Sequence, residues 1–309
     1  MQLTLATWNL LNFIAPPNAA YEMDNILLAE QWQKKQQWVR SHVAALEADI
    51  IGFQEIFSDN ALDELLQPYG YKLHIVDKPR VRDGYIYESP VVGIASRLPL
   101  KRCYPIRVDT ETLVSLGLPP PFQFSRTPVV AVVTHPILGD IRCVSIHLKS
   151  QRASVDIEGQ DPRNIALKLC DSWASTRQRG TEAALLNLQL SQGPDAHLPT
   201  VVMGDFNRDL QSSELKALAN NGWLHDSWAL YQSQQNREIL RPATHYHGAV
   251  GSVLDYILLT DHFDHNSVEC RGRICAYHCI DRHLINPRYE IDSESSDHAI
   301  VQVTATLTI

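Results

Sequence analysis

Two periods run through the apolar residues of this chain. Short runs alternate every second position or are apolar throughout, as strands do; longer ones recur every three to four, as buried helix faces do. Residues 3–9 predict a strand with Leu3 and Leu5 on one face and Asn9 at its end. From about residue 22 to 48 the pattern is helical, with Trp38, Val39, His42, Val43 and Leu46 on the buried side. Residues 49–55 predict a second buried strand that stops at Glu55. A short helix through Leu62, Leu65 and Leu66 ends at Gly70, and residues 71–76 are strand-like.

Further along, residues 78–89 are polar and predict a surface loop. Residues 91–96 and 100–108 predict a strand pair around Leu98-Pro99, and the proline-rich 110–125 an exposed connection. Residues 129–134 and 141–147 predict a hairpin turning at Leu138-Gly139-Asp140 and ending at His147. After a polar loop at 151–163, a helix over 164–190 places Ile165, Leu169, Trp173, Leu185 and Leu186 on its buried side. Trp32 and Trp38 are likewise expected in helix core. Val201-Val202-Met203 runs into Gly204, and then Asp205 and Asn207 leave the strand on one side with Phe206 on the other. Ser212 is expected to cap a short helix that Gly222 stops. Residues 252–259 form a strand holding one carboxylate, Asp255, whose burial demands a dedicated partner. Asp297 and His298 precede a closing strand.

Elements of both kinds spread over all 309 residues without repeat or composition break, which predicts a single domain over 1–309. Hydrophobic residues make up 44% and charged residues 20%, enough for a large core. Against 27 Lys and Arg stand 35 Asp and Glu, a net charge of −8 that argues against indiscriminate binding of polyanions. It leaves room for a phosphate substrate if a cation neutralises the acids at its site. Residues 1–12 show no signal-peptide pattern and no apolar run approaches a membrane span, so the expectation is a cytoplasmic protein. Cys103, Cys143, Cys170, Cys270, Cys275 and Cys279 are expected to be reduced thiols. Cys270, Cys275, Cys279 and His283 lack the paired spacing of a zinc site, and His245, His247, His262 and His265 are expected to be ordinary loop histidines.

Polar residues therefore stand where apolar strands stop: Asn9, Glu55, His147, Asp205, Asn207, Asp255, Asp297 and His298. Two sheets packed face to face would gather such ends along one edge. Glu55, Asp297 and Asn9 offer hard oxygen donors suited to Mg²⁺ or Mn²⁺. The histidines and Asp255 supply proton transfer and an orienting partner. The set matches hydrolysis at phosphorus.

Thr7-Trp8-Asn9, Gln54-Glu55, Ser145-Ile146-His147-Leu148, Gly204-Asp205-Phe206-Asn207, Leu254-Asp255-Tyr256-Ile257 and Ser296-Asp297-His298, in that order, resemble the endonuclease/exonuclease/phosphatase superfamily, the deoxyribonuclease I-like metal-dependent phosphoesterases. The resemblance implies an α/β fold, a four-layer αββα sandwich of two mostly antiparallel sheets with helices outside. It implies that Glu55 leads the metal ligands, with Asn9 and Asp297. Asp205 and Asn207 would handle the attacking water, His298 oriented by Asp255 would serve the phosphorus centre, and His147 would contact the phosphate or leaving oxygen. Apurinic-site enzymes of the group carry an acid where Leu11 stands and a tyrosine where His147 stands. His147-Leu148-Lys149-Ser150 with Arg177 and Gln178 looks more like bacterial nucleases, where Lys149, Arg152 and Arg177 would bind flanking phosphates. Tyr85 and Tyr87 are candidate stacking platforms for bases.

These residues lead to the expectation of a Mg²⁺-dependent phosphodiesterase, a nuclease cleaving DNA or RNA to leave a 5′-phosphate. The alternatives are a phosphatase or a phospholipid phosphodiesterase, inositol-phosphate- or sphingomyelin-directed, on the same machinery, and then a non-enzymatic phosphate-binding protein. Nothing in the sequence predicts an obligate protein partner.

Overall fold

The computed structural model describes residues 1–151, 161–219 and 221–308. The strands in chain order are β1 (Gln2–Phe13), β2 (Ile50–Ile56), β3 (Lys72–His74), β4 (Val91–Ser96), β5 (Leu100–Pro105) and β6 (Val129–His135). They continue as β7 (Gly139–His147), β8 (Thr200–Asp205), β9 (Leu224–Asp226), β10 (Asp255–Thr260), β11 (Gly272–Ile280) and β12 (Ile300–Leu307). One six-stranded sheet has the order β11-β12-β1-β2-β4-β3 and the other β9-β10-β8-β7-β6-β5.

Alternation in β1 shows why a layer lies on each face. Leu3 and Leu5 point one way, Ala6 and Trp8 the other, and all four are buried. Leu3 and Leu5 join Ile94, Val133, Met203 and Ile257 in a core between the sheets. Trp8 packs with Trp38, Val43 and Leu62 beneath helices α1 (Ala29–Leu46) and α2 (Asp59–Leu66). On the far side of the second sheet, Val144, Ile146 and Val202 pack against Leu186 and Leu190 of helix α3 (Pro162–Gln192). The result is the four-layer αββα sandwich expected from the sequence. Each fully buried aliphatic or aromatic side chain contributes about 1.5–3 kcal/mol to holding these layers together.

Each six-stranded sheet contains one parallel pair, β1 with β2 and β7 with β8; the remaining pairs within these two sheets are antiparallel. A parallel pair needs a long crossover, supplied by α1 in the first case and α3 in the second. Both pairs deliver their C-terminal ends to one edge of the sandwich. Asn9 and Glu55 end the first pair, His147 and Asp205 the second.

Several expectations are corrected. The helix expected from residue 22 begins at Ala29, because Leu28 is still extended at ψ 155°. Residues 19–20 instead form a short strand beside Ile86–Ser89, which also pairs with Arg80–Arg82, so the expected polar loop is a small sheet. The strands flanking Leu98-Pro99 do not pair: β4 lies in one sheet and β5 in the other. The turn carries the chain between layers, which local polarity cannot reveal. A short helix, Thr110–Ser115, capped by Asp109, interrupts the expected connection after residue 110. Ser212 precedes a turn, yet its hydroxyl makes no capping bond.

The largest correction concerns α3. Ile165, Leu169 and Trp173 are exposed, Trp173 by 72%, and burial begins only at Ser175. A helix of 31 residues runs about 46 Å, whereas six to nine strand residues span only ~20–30 Å. Its first turns have no sheet to cover. Arg152 lies outside the described residues. No described helix is long and apolar enough to cross a membrane.

Gly204 shows how tightly the two central strands of the second sheet meet. Its φ is +151°, and a Cβ there would sit 2.0 Å from the Ile146 carbonyl oxygen across the β7–β8 pair. No rotamer change relieves a main-chain collision, so Gly204→Ala should destabilise the protein by at least about 3 kcal/mol. Chemical denaturation of the two proteins checks this; an equal midpoint would refute the packing described.

Candidate active site

Inward-facing positions continue past the apolar core and become polar at the edge. In β7, Ile141 and Cys143 belong to the inter-sheet core, and His147 follows on the same face. In β8, Val201 and Met203 lead to Asp205 in the same way, and in β10 Asp255 precedes Ile257 and Leu259. Asp205 and Asp255 are register partners across the β8–β10 pair, both at most 1% exposed. Asn9 stands on the inward face of β1 in the first sheet.

Glu55 needs a further device. Strict alternation would put Gln54, and not Glu55, on the face shared with Asn9. Glu55 has a positive φ of 60°, and register shifts there and beyond Asn9 mark a bulge in which Leu11 and Asn12 also have positive φ. Bulges re-aim side chains at sheet rims. The turned Glu55 accepts a hydrogen bond from Asn9 Nδ2 at 3.3 Å and one from the Asn12 amide at 2.9 Å.

Asp205 is the hub. Its Oδ2 accepts from Asn9 Nδ2 at 3.1 Å and Asn207 Nδ2 at 3.3 Å, and its Oδ1 accepts from the Asn207 amide at 2.8 Å. His147 Nε2 and His298 Nε2 stand 3.3 Å and 3.8 Å from Oδ2. His298 Nδ1 is 2.9 Å from Asp255 Oδ2, so Asp255 has the dedicated partner its burial requires. The loop bearing His298 is tied down by its main chain: Ser296 Oγ donates to the Asn9 carbonyl and accepts from the His298 amide, and His283 Nε2 lies 2.9 Å from the His298 carbonyl. Asp297 is 41% exposed at its side chain, yet its Oδ1 is buried without a hydrogen-bond partner.

Burial pushes the Asp205 carboxyl up to about 7; the His298 cation opposes this, while Asp255 and Glu55 add to it. His298 is raised well above the ordinary histidine value despite burial, because Asp255 and Asp205 favour its charged form. His147 is lowered well below it, by burial and then by Arg126, His298 and Lys149. One imidazole is thus held as a cation and its neighbour as a neutral base.

The donor types suit a divalent cation, although among the described residues Glu55 belongs to no group of donor atoms close enough together to hold one. Glu55, Asp297 and the Asn9 amide are hard oxygen donors, and Asp297 Oδ1 is an orphaned acceptor at the rim. Among the described residues, His245, Asp297 and His298 form one group whose donor atoms could hold an ion, and Asp205, Asp255 and His298 form another.

A family model described as the Endonuclease/Exonuclease/phosphatase family matches residues 6–298. The chain belongs to that family. It is accordingly a hydrolytic phosphoesterase. Among solved structures, the fold is similar to a humanized D. rerio TDP2 carrying 14 mutations, with TM-score 0.62 and 15% identity over 99% of each chain. It is also similar to the human Nocturnin catalytic domain with bound sulfate, with TM-score 0.60 and 17% identity over 99% of this chain and 95% of that one. An AP endonuclease from Archaeoglobus fulgidus gives TM-score 0.60 and 14% identity over 99% of this chain and 100% of that one. No curated protein matches in sequence.

Within this family member the expected phosphate-binding residues are less gathered than the catalytic ones. Lys149 is half-buried beside His147, and its amide donates to Glu182. Arg177 is exposed on α3. The buried arginine of that helix is Arg179, held by Glu214 at 2.5 Å and donating to the Lys149 carbonyl. The Cys270–Cys279 region forms no metal group among the described residues; Cys275 and Cys279 donate to carbonyl oxygens. Tyr87 packs on Phe57.

Two nearby residues escaped the sequence reading. Lys35 on α1 is only 4% exposed; burial lowers its amine to about 8, against the pull of Glu55, Glu294 and Asp297. Its spacing was the signal, since it lies three and four residues before Trp38 and Val39 on the buried face. His245, expected to be an ordinary loop histidine, packs its ring 5.0 Å from the His298 ring, tilted by 50°.

These shifts set a pH dependence. Asp205 is raised, so the native state holds its proton more tightly than the unfolded chain does; that stabilisation is lost as pH rises through about 7. His298 is also raised, and its contribution fades as pH climbs through its native value. His147, being lowered, opposes both only below the ordinary histidine value. Metal-free protein should therefore lose stability in the window that opens at about pH 6.5, the ordinary histidine value, and runs upward, and Asp205→Asn should flatten the part of the slope below about pH 7. Urea unfolding in EDTA measures this; stability that increased over that window would contradict the assignment.

Proposed function

We propose that this phosphoesterase is a Mg²⁺-dependent phosphodiester hydrolase, a nuclease that cleaves DNA or RNA by in-line attack of water on phosphorus. The observation that carries the reading is Asp205, a buried carboxylate raised to about 7 and set against the cationic His298 on one side and Asn9–Glu55 on the other. A base with that proton affinity suits activation of water near neutral pH. In this reading Asp205 takes the proton of a water that Asn207 helps to position.

His298, held by Asp255, offers its Nε2 proton to a phosphoryl oxygen where charge builds in the transition state. The neutral His147 sits at the leaving-group side and exchanges a proton there. Asn9, Glu55 and Asp297 would hold the divalent cation, which supplies charge neutralisation and Lewis acidity at the phosphate. Lys149 and Arg177 would contact flanking phosphates, and Arg126, whose charge bears on His147, joins them. A nucleic acid is favoured because another D. rerio TDP2 structure with this fold, at 15% identity and TM-score 0.58, is described as complexed with single strand DNA product.

Hydrolysis should vanish in EDTA and return with Mg²⁺ or Mn²⁺. Glu55→Gln, Asp205→Asn and His298→Asn should each lower kcat by roughly 10²–10⁴-fold. Assays on plasmid, single-stranded DNA, RNA, inositol phosphates and sphingomyelin separate the substrate classes. Full metal-dependent turnover by Glu55→Gln would overturn the reading, and turnover confined to the lipid or inositol phosphate would replace its substrate. On an oligonucleotide, Lys149→Ala should raise KM, leave kcat nearly unchanged and reduce the salt dependence of binding.

A further inference from the structure

Asp297 is flanked by an imidazole on each carboxylate oxygen. His298 Nε2 is 3.9 Å from Oδ1, and His245 Nε2 is 3.9 Å from Oδ2. Both gaps exceed a hydrogen bond. Two donors of one first-row divalent ion, each bonded at about 2.1 Å, lie about 3.0–3.4 Å apart, so a small closing of either gap would bring both donors onto one ion. The nearest donor atoms of His245, Asp297 and His298 all lie within 4.8 Å of one another.

His245 is not placed there by a wandering loop. It opens a two-stranded hairpin, His245–His247 with Val250–Ser252, and makes an isolated bridge to His298. The preceding Thr244 is fully buried. Its carbonyl accepts from the Ala299 amide at 2.7 Å, and its hydroxyl accepts from the amides of Leu254 and Asp255. The main chain that carries His245 is therefore pinned to the strand that begins at Asp255 and to the segment that carries His298. A nitrogen donor whose main chain is fixed, facing Oδ2 of a carboxylate whose Oδ1 is buried without a hydrogen-bond partner, is what a metal site requires.

We infer that His245 is a nitrogen ligand of the divalent centre that Asp297 helps to hold, an inference that rests on the metal-centre reading above. His298 stays bonded to Asp255 and free to serve the phosphate. An imidazole adds little for Mg²⁺, which favours oxygen and retains water, and more for ions later in the first transition row. The centre of this chain should accordingly bind Mn²⁺ more tightly than Mg²⁺, with His245 as the cause.

The test is titration of the full-length, metal-free protein with Mn²⁺, read by EPR. Pulsed EPR then looks for coupling between the bound ion and a histidine ¹⁴N. Wild type and His298→Gln should show the coupling; His245→Gln and His245→Asn should lose it and bind Mn²⁺ at least about tenfold more weakly. Their Mg²⁺ affinity, measured by competition, should change no more than about twofold. Thermal unfolding checks that the variants fold, as expected for a side chain 24% exposed on a hairpin. Nitrogen coupling that persists in both His245 variants overturns the inference alone. Unchanged Mn²⁺ binding by Glu55→Gln overturns the metal-centre reading itself, so the two failures are told apart.

Discussion

Carboxylates crowd into the mouth between two sheets, and this concentration of negative charge constrains everything around it. Asp205 and Asp255 are buried across one strand pair, with Glu55 bearing on Asp205 from the other sheet. Buried like charges are unfavourable unless protons, amide donors or cations compensate. Each kind of compensation is visible. Asp205 keeps its proton to about neutrality, His298 is held as a cation, and Asn9 and Asn207 turn their amides toward Asp205. A divalent cation, as proposed, would complete the balance and convert it into a force on a phosphate.

The same groups hold the sandwich together where its hydrophobic core ends. Asn9 belongs to the first sheet and Asp205 to the second, so their hydrogen bond crosses the gap between layers. The His298–Asp255 contact crosses it again, since His298 leads directly into β12 of the first sheet and Asp255 begins β10 of the second. Below them lies an apolar interface of Leu5, Val133, Met203 and Ile257. Closely packed interiors move little, so the polar groups at the edge keep their separations. Reactivity at the edge thus depends on apolar packing beneath it.

What could be read from the sequence follows from how local each feature is. A strand alternates with period two whatever it pairs with, so Asp205, Asn207 and Asp255 could be recognised as polar ends of apolar runs. Asp255, alone in an apolar strand, announced a partner, and the structure supplies His298. Glu55 was placed at its strand end, but its face could not be read, because the positive φ that turns it is set by tertiary pairing. The separation of β4 and β5 into different sheets was equally hidden, for a turn does not encode which layer follows it. In α3 the periodicity was genuine, yet it cannot say where the underlying sheet stops; Trp173 has the spacing of core and the exposure of surface. His245 looked ordinary because its neighbours in space, Asp297 and His298, lie more than fifty residues away in the chain.

Lys35 shows how far the acidic mouth reaches into the scaffold. An ammonium left 4% exposed would ordinarily be neutralised or expelled, since charge resists low dielectric. Burial does lower it, but only to about 8, because Glu55, Glu294 and Asp297 favour the cation. The helix carrying it is the crossover that makes β1 and β2 parallel, and parallel pairing is what brings Asn9 and Glu55 to the same edge. One segment therefore aligns the strands that present the acids and carries a positive charge that opposes their repulsion. Replacing Lys35 with a neutral residue would leave the first role intact and remove the second, so the arrangement separates a topological requirement from an electrostatic one at a single position of the chain.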